Sequence, residues 1–278
     1  MNKFLFSSLL LFAFVSFDVR AQNPDSDKPL EVTADDSLEW HRNELYFRAR
    51  KNVKAVQGTT TLYSDVLTAK YREGTKSSME IYNIRADGNV KIISAQSKAY
   101  GDKATYRVDK GYAVLTGNNL RIVSDGQTVT ARDKFEYWVN AGKLIALGDA
   151  VAVREGDRIV ADKMIAIFTE SNGKRTLKSL EALGNVVITT PEEELKGDKA
   201  TYDAASTTAV LHDNVVITRG PNVLEGTKAE LNTTTNVSKI FGGITDGGEG
   251  GGRVRGIFYP QSAESQKDGE VTEGSGVQ

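Results

Sequence analysis

Along residues 30–242 almost every apolar side chain belongs to a short run in which apolar and polar positions alternate. Examples are Val90-Lys91-Ile92, Ala104-Thr105-Tyr106-Arg107-Val108, Phe135-Glu136-Tyr137-Trp138-Val139, Val186-Val187-Ile188 and Val215-Val216-Ile217. A period of two places one set of side chains on one face of a strand, so these runs predict half-buried β-strands and no amphipathic helix. Between them stand Asp109-Lys110-Gly111, Asp125-Gly126, Asn140-Ala141-Gly142, Asn172-Gly173 and Arg219-Gly220-Pro221-Asn222, turn sequences with glycine or asparagine available for positive φ. Strand, turn and strand recur about every 15 residues, the spacing of an all-β sandwich, barrel or roll.

The runs are copies of one unit. Gly101-Asp102-Lys103-Ala104-Thr105-Tyr106 returns as Gly197-Asp198-Lys199-Ala200-Thr201-Tyr202, and degenerate versions start at Asp36, Asp65, Asp133, Asp162 and Thr227. Successive copies are separated by roughly thirty residues, and repetition at such a period decides the architecture. A second motif alternates with the first: Lys51-Asn52-Val53, Gly88-Asn89-Val90, Gly117-Asn118-Asn119-Leu120, Gly148-Asp149-Ala150-Val151, Gly184-Asn185-Val186 and Asp213-Asn214-Val215. Longer hairpin loops at residues 73–78 and 170–175 account for the two longest steps. Nothing in the sequence supplies a capping helix, so the terminal repeats should keep open strand edges.

Alternation also names an inner face. In the first half-unit it groups Ala104, Tyr106 and Val108, then Phe135, Tyr137 and Val139, then Ala200 and Tyr202, with Leu38 and Trp40 in front. In the second it groups Val90 and Ile92, Leu120 and Ile122, Val151 and Val153, Val186 and Ile188, and Val215 and Ile217. Stacked repeats merge these positions into one apolar trough. That trough is either packed core or the inside of an incompletely closed roll that accepts long acyl chains. Each buried methylene contributes about 0.8 kcal/mol, so such a roll would hold lipid without any catalytic residue.

Composition narrows the class. The 278 residues carry a net charge of −2, are 39% hydrophobic and 26% charged, and include no cysteine; this excludes a disulfide scaffold and disfavours a nucleic-acid binder. Residues 1–21 read as a secretory signal, with Lys3 as the positive start, an apolar stretch over residues 4–17 and Val19-Arg20-Ala21 as the cleavage site. An apolar stretch of about 14 residues is short of the roughly 20 that span a bilayer. Export places the mature chain in the periplasm or outside the cell. Residues 22–29 form a polar leader and residues 30–243 the repeat domain. Residues 244–278 hold a glycine-rich linker, a short apolar patch at Val254 to Pro260 and a polar tail. The linker's acidic glycine-rich composition could suggest a calcium loop, but it lacks the repeated nonapeptide such a site needs.

Catalytic chemistry finds little purchase. His41 and His212 lie in or beside strand-like runs, and there is no nucleophile elbow, phosphate loop or zinc-binding pair of histidines. Asp65, Asp102, Asp133, Asp162 and Asp198 recur at one structural position, whereas general acid and base work needs two carboxylates in one cleft. A turn or strand-entry role is expected for these aspartates. The lysines beside them, Lys103, Lys134, Lys163, Lys199 and Lys228, should face outward, where they discourage unwanted edge pairing; clamping an anionic ligand is their rival role. The expectation is a protein without enzymatic activity, metal or cofactor.

Gly184-Asn185-Val186-Val187-Ile188, Leu195-Lys196-Gly197-Asp198-Lys199-Ala200-Thr201-Tyr202 and Gly226-Thr227-Lys228-Ala229-Glu230-Leu231 resemble the strand repeats of the OstA-like lipopolysaccharide-transport family. With the signal segment, the resemblance is to its soluble periplasmic bridge. It implies a slightly twisted β-jellyroll, open along one side, that holds the acyl chains of lipopolysaccharide while the sugars face water. It also implies partners: an inner-membrane LptC-like component, an outer-membrane LptD-like translocon and further copies of itself, joined head to tail by strand addition. The alternatives are another branch of the family, such as the membrane-anchored LptC-like component, and a self-associating β-repeat structural protein whose trough is only core.

Overall fold

The computed structural model describes residues 28–73, 79–94, 97–124, 126–171, 174–235, 237–242 and 253–259. The expected signal segment, most of the leader, the linker and the tail lie outside the described residues, as do the tips of the two longer hairpin loops. Within them the period-two runs are strands. β1 (Glu31–Thr33) and β2 (Ser37–His41) precede β3 (Tyr46–Gln57), β4 (Thr60–Arg72), β5 (Glu80–Ser94) and β6 (Ser97–Arg107). Four short strands follow: β7 (Tyr112–Thr116), β8 (Arg121–Ser124), β9 (Gln127–Thr130) and β10 (Lys134–Trp138). Long strands resume as β11 (Lys143–Arg154), β12 (Asp157–Ser171), β13 (Lys174–Thr189), β14 (Glu194–Asp203), β15 (Thr208–Arg219) and β16 (Asn222–Asn232). β17 (Val237–Phe241) and β18 (Arg255–Ile257) are the last strands among the described residues. All belong to one 18-stranded sheet, and every pairing is antiparallel.

The second sequence motif is where the long strands bend. Register slips between Arg50 and Val53, Asp87 and Val90, Leu147 and Ala150, Leu183 and Val186, and His212 and Val215. At each slip two successive residues are left-handed, for example Gly88 and Asn89 (φ 80° and 47°) or Gly184 and Asn185 (φ 76° and 47°). Bulges of this kind bend a strand and increase its twist. Each long strand therefore gives one half to each of two facing layers, and the array is an all-β, open jellyroll. One layer ends in β2 and β17 and includes β7 and β10; the other ends in β1 and β18 and includes β8 and β9.

The recurrent aspartate has a different part from the expected turn. It clamps the bend of the next strand. Asn89 Nδ2 donates to Asp65 Oδ2 at 2.8 Å, Asn185 Nδ2 to Asp162 Oδ2 at 3.0 Å, Asn214 Nδ2 to Asp198 Oδ2 at 2.7 Å, and the Asn118 backbone N–H to Asp102 Oδ2 at 2.7 Å. In the first repeat, where the strand is interrupted between β1 and β2, Asp35 rather than Asp36 accepts from Asn52 at 2.7 Å. The clamp also dictates the glycine: a Cβ on Gly88 or Gly184 would lie 2.2 Å from the Asp65 or Asp162 carboxylate. Where Asp149 replaces the asparagine, two carboxylates would oppose each other, and Arg132 bonds to both Asp133 and Asp149 instead.

Small residues close the bend from the other side. Val90 pairs with Gly101, Ala150 with Ala161, Val186 with Gly197 and Val215 with Gly226. A Cβ on Gly101 would meet the Leu115 and Leu120 side chains at 2.9 Å, which is why the repeated hexapeptide opens with glycine. Val53, Val90, Val186 and Val215 are fully buried there. The lysines that follow the aspartates lie on the outer face by strand alternation, and several bind carboxylates, as Lys134 does with Glu136 at 2.5 Å and Lys228 with Glu230 at 2.6 Å.

Candidate functional site

Cross-strand register sorts the inner face into rows that run the length of the stack. In the layer that ends in β2 and β17, one row passes from Leu38 through Ala49, Leu67, Ala86, Ala104, Leu115, Phe135, Ala146, Met164, Ala182, Ala200, Leu211 and Ala229 to Ile240. The neighbouring row, nearer the hairpin turns, includes Trp40, Phe47, Tyr106, Tyr137, Leu180, Tyr202 and Leu231. In the facing layer a continuous aliphatic row contains Leu62, Ile92, Ile122, Val129, Ile159, Ile188, Leu195, Ile217 and Leu224.

Just outside this aliphatic row, next to the turns, the side chains become polar without a break from Gln57 through Thr60, Ser94, Ser97, Ser124, Gln127 and Arg154 to Asp157. One lip of the trough is therefore hydrogen-bonding and the other rich in aromatics. The phenol of Tyr106 is pushed up by burial on the aromatic lip. On the polar lip, burial raises the Glu193 carboxyl above the ordinary carboxylate range, with Arg219 opposing and Glu192 adding to the shift.

The two layers do not meet everywhere. Toward the carboxyl end they leave a cavity of about 170 Å³, lined by Leu180, Ala200, Tyr202, Leu211, Ala229, Leu231 and Ile240 on one side and by Ile159, Ile188, Leu195, Ile217 and Leu224 on the other. Glu193 and Ser238 also border it. The lining is mostly apolar, so the cavity offers an apolar chain dispersion contacts and relief from water.

The structure places the sequence-predicted residues unequally. Val90, Ile92, Ala104, Leu120, Ile122, Phe135, Val186, Ile188, Ala200, Tyr202, Val215 and Ile217 belong to the inner cluster. Of these, Ile188, Ala200, Tyr202 and Ile217 line the cavity. Tyr106 and Tyr137 sit on the aromatic lip, and Val139 lies half-buried just past the end of β10, its N–H donated to Gly111. Leu38 and Trp40 have the inward register but stand at the open end, 63% and 47% exposed. Trp40 stacks on Phe47 and donates Nε1–H to the Tyr71 hydroxyl at 2.9 Å.

Three expectations are corrected. Val151 and Val153 face outward, because Asp149 takes the left-handed place of the bulge asparagine and makes Ala150 and Ala152, at 0% and 1% exposure, the inward pair. Val108 has left its strand for a single 3-10 turn and is exposed. Residues missed by the sequence reading include Leu180, Leu195, Leu211 and Leu231 in the cavity, and Gln127 on the lip. Gln127 stands two places before the inward Val129, so alternation alone would have found a polar residue at an inward position.

Among the described residues no group of three or more His, Asp or Glu side chains is arranged to hold a metal. His41 stacks on Tyr46 with Nε2 2.8 Å from Glu39 Oε2, and this contact together with Arg50 holds the Glu39 carboxyl down to about 2. His212 lies on the outer face opposite Lys199 and Lys228. Among the described residues no helix is long and apolar enough to cross a membrane.

The family described as LptA/(LptD N-terminal domain) LPS transport protein matches residues 31–143 and again 128–237. An uncharacterized protein of Rhizobium meliloti (strain 1021) is 26% identical over 156 residues, 54% of this chain and 83% of its own length. Among solved structures, LptH of Pseudomonas aeruginosa, titled the LptA homologous periplasmic component of the conserved lipopolysaccharide transport device, aligns over 85% of this chain and 99% of its own at 12% identity. The TM-score of that alignment is 0.21.

Proposed function

This chain belongs to the LptA/LptD N-terminal domain family of LPS transport proteins, and from that premise we propose that it is a periplasmic carrier which holds the acyl chains of lipopolysaccharide between its two layers. It bridges the inner-membrane and outer-membrane parts of the transport route. The observation that supports this most is the aliphatic cavity between the layers, bordered at its outer edge by Glu193 and Ser238. At about 0.8 kcal/mol per methylene, ten methylenes drawn from water would gain about 8 kcal/mol before ordering costs are subtracted. No bond is made or broken, and cargo is retained chiefly by exclusion of water.

Strand edges at both ends support assembly. β1 and β2 share the exposed side of β3, and β17 and β18 share that of β16. Unpaired backbone groups on such edges extend a sheet into a partner, so an LptC-like component, an LptD-like translocon and further copies of the chain are the proposed neighbours. Photo-crosslinkers at the inward positions Leu211, Ile217 and Tyr202 should capture lipopolysaccharide, while the outward controls Val187, Val216 and His212, which do not line the cavity, should not. Equal or absent capture at both sets rejects the trough. Lipid-free protein from its own envelope in native mass spectrometry would instead favour a structural β-repeat role.

A further inference from the structure

The polar row beside the aliphatic one contains a group with unmet hydrogen-bonding capacity. Gln127 is 3% exposed, and its Nε2 is buried without a hydrogen-bond partner. It is the only such buried side-chain atom among the described residues. Buried polar groups in folded proteins are nearly always satisfied, because an orphaned one keeps its full desolvation cost. Such an orphan calls for an explanation, and a group arriving from outside is one that would satisfy it.

Its position restricts what that partner can be. Gln127 opens β9 immediately after the turn at Gly126 and shares its face with Val129, whose cross-strand neighbours Ile122 and Ala152 belong to the aliphatic row. Its own cross-strand neighbours are Ser124 and Arg154. The amide thus stands at the boundary between the apolar interior and the polar lip. In an amphiphile whose chains occupy the trough, the atoms at that boundary are those of the ester or amide linkage between chain and headgroup.

The free group is a donor, so it requires an acceptor, and a linkage carbonyl oxygen is one. A phosphate would be drawn to the Arg154 guanidinium on the polar lip rather than to the single neutral donor of Gln127. Resting on the carrier reading above, we propose that Gln127 recognises the acyl-linkage carbonyl of the cargo and so sets how deeply the chains enter.

The test compares dioctanoyl phosphatidic acid, which has ester carbonyls, with its dioctyl ether analogue, which lacks them, by equilibrium binding to the full mature chain. Wild type should bind the ester about five- to tenfold more tightly, the worth of one hydrogen bond. Gln127→Leu should bind both probes as wild type binds the ether, and should melt at a higher temperature because the orphaned amide is gone. Gln127→Glu, which has no donor when ionised, should also lose the preference. Equal binding of the two probes by wild type, or an ester preference retained in Gln127→Leu, overturns the proposal and leaves the trough intact. Wild type that binds neither probe overturns the carrier reading and this inference with it. The wild-type comparison requires no variant to fold.

Discussion

The clamp at the bend can be tested by a double-mutant cycle at Gly184 and Asp162. Gly184→Ala places a side chain at φ 76° and sets its Cβ 2.2 Å from Asp162 Oδ2. A left-handed alanine costs about 1–2 kcal/mol. The carboxylate must also swing away, which gives up its hydrogen bonds from Asn185 Nδ2 at 3.0 and 3.2 Å and costs about 1 kcal/mol more. Asp162→Ala alone should cost about 1 kcal/mol for the same lost contact. In the double variant no carboxylate obstructs the new methyl group and the contact is lost only once. The combined cost should therefore fall about 1 kcal/mol short of the sum of the singles. Urea unfolding of the four proteins measures this through shifts in midpoint at constant m-value. Agreement with the simple sum to within about 0.4 kcal/mol would refute the idea that glycine is required by the aspartate as well as by φ.

Four further outcomes follow from the same geometry. Val186→Asp puts a charge at a site only 1% exposed and should cost about 3 kcal/mol or more in urea unfolding, whereas Val216→Asp on the outer face should cost under about 1 kcal/mol. Burial holds the folded-state pKa of Glu193 above its unfolded value, so the penalty for ionising it is absent below pH 4.5 and grows as pH rises through the raised value. Glu193→Gln should flatten the fall in unfolding midpoint above pH 4.5, and an unchanged slope would show that another group governs it. Hydrogen bonding from Arg132 holds Asp133 below the usual carboxylate range, so Arg132→Ala should move its NMR titration upward and lower the melting temperature. Ending the chain at Gly242 removes β18 from Val223, Leu224 and Glu225; hydrogen exchange should quicken at those of these amides that point toward β18, and self-association should increase, because a bare sheet edge accepts strands.

Local rules were enough for the elements and their order. Period-two alternation marked the strands, Asp-Gly and Asn-Ala-Gly marked turns, and the reuse of Gly-Asp-Lys-Ala-Thr-Tyr showed that one unit is stacked, because strand faces and tight turns depend on neighbours a few residues apart. The inner face was legible wherever the bulge asparagine was present. It failed at Asp149, whose carboxylate occupies the same left-handed place, so that counting slipped by one and exchanged Ala150 and Ala152 for Val151 and Val153.

What alternation could not contain is the company each residue keeps across the sheet. Asp162 meets Asn185, and Asp198 meets Asn214, only after neighbouring strands have paired in register. The apolar patch beyond the linker becomes β18 only because the edge of β16 is there to receive it. Cavity, polar lip and orphaned Gln127 amide likewise arise from bending every long strand so that its halves face each other. The sequence by itself determined that this protein is a stack of antiparallel strands with one apolar face. Tertiary structure decided that the face is divided into an aliphatic floor and two unlike lips, since those rows join residues far apart in the chain through cross-strand pairing alone.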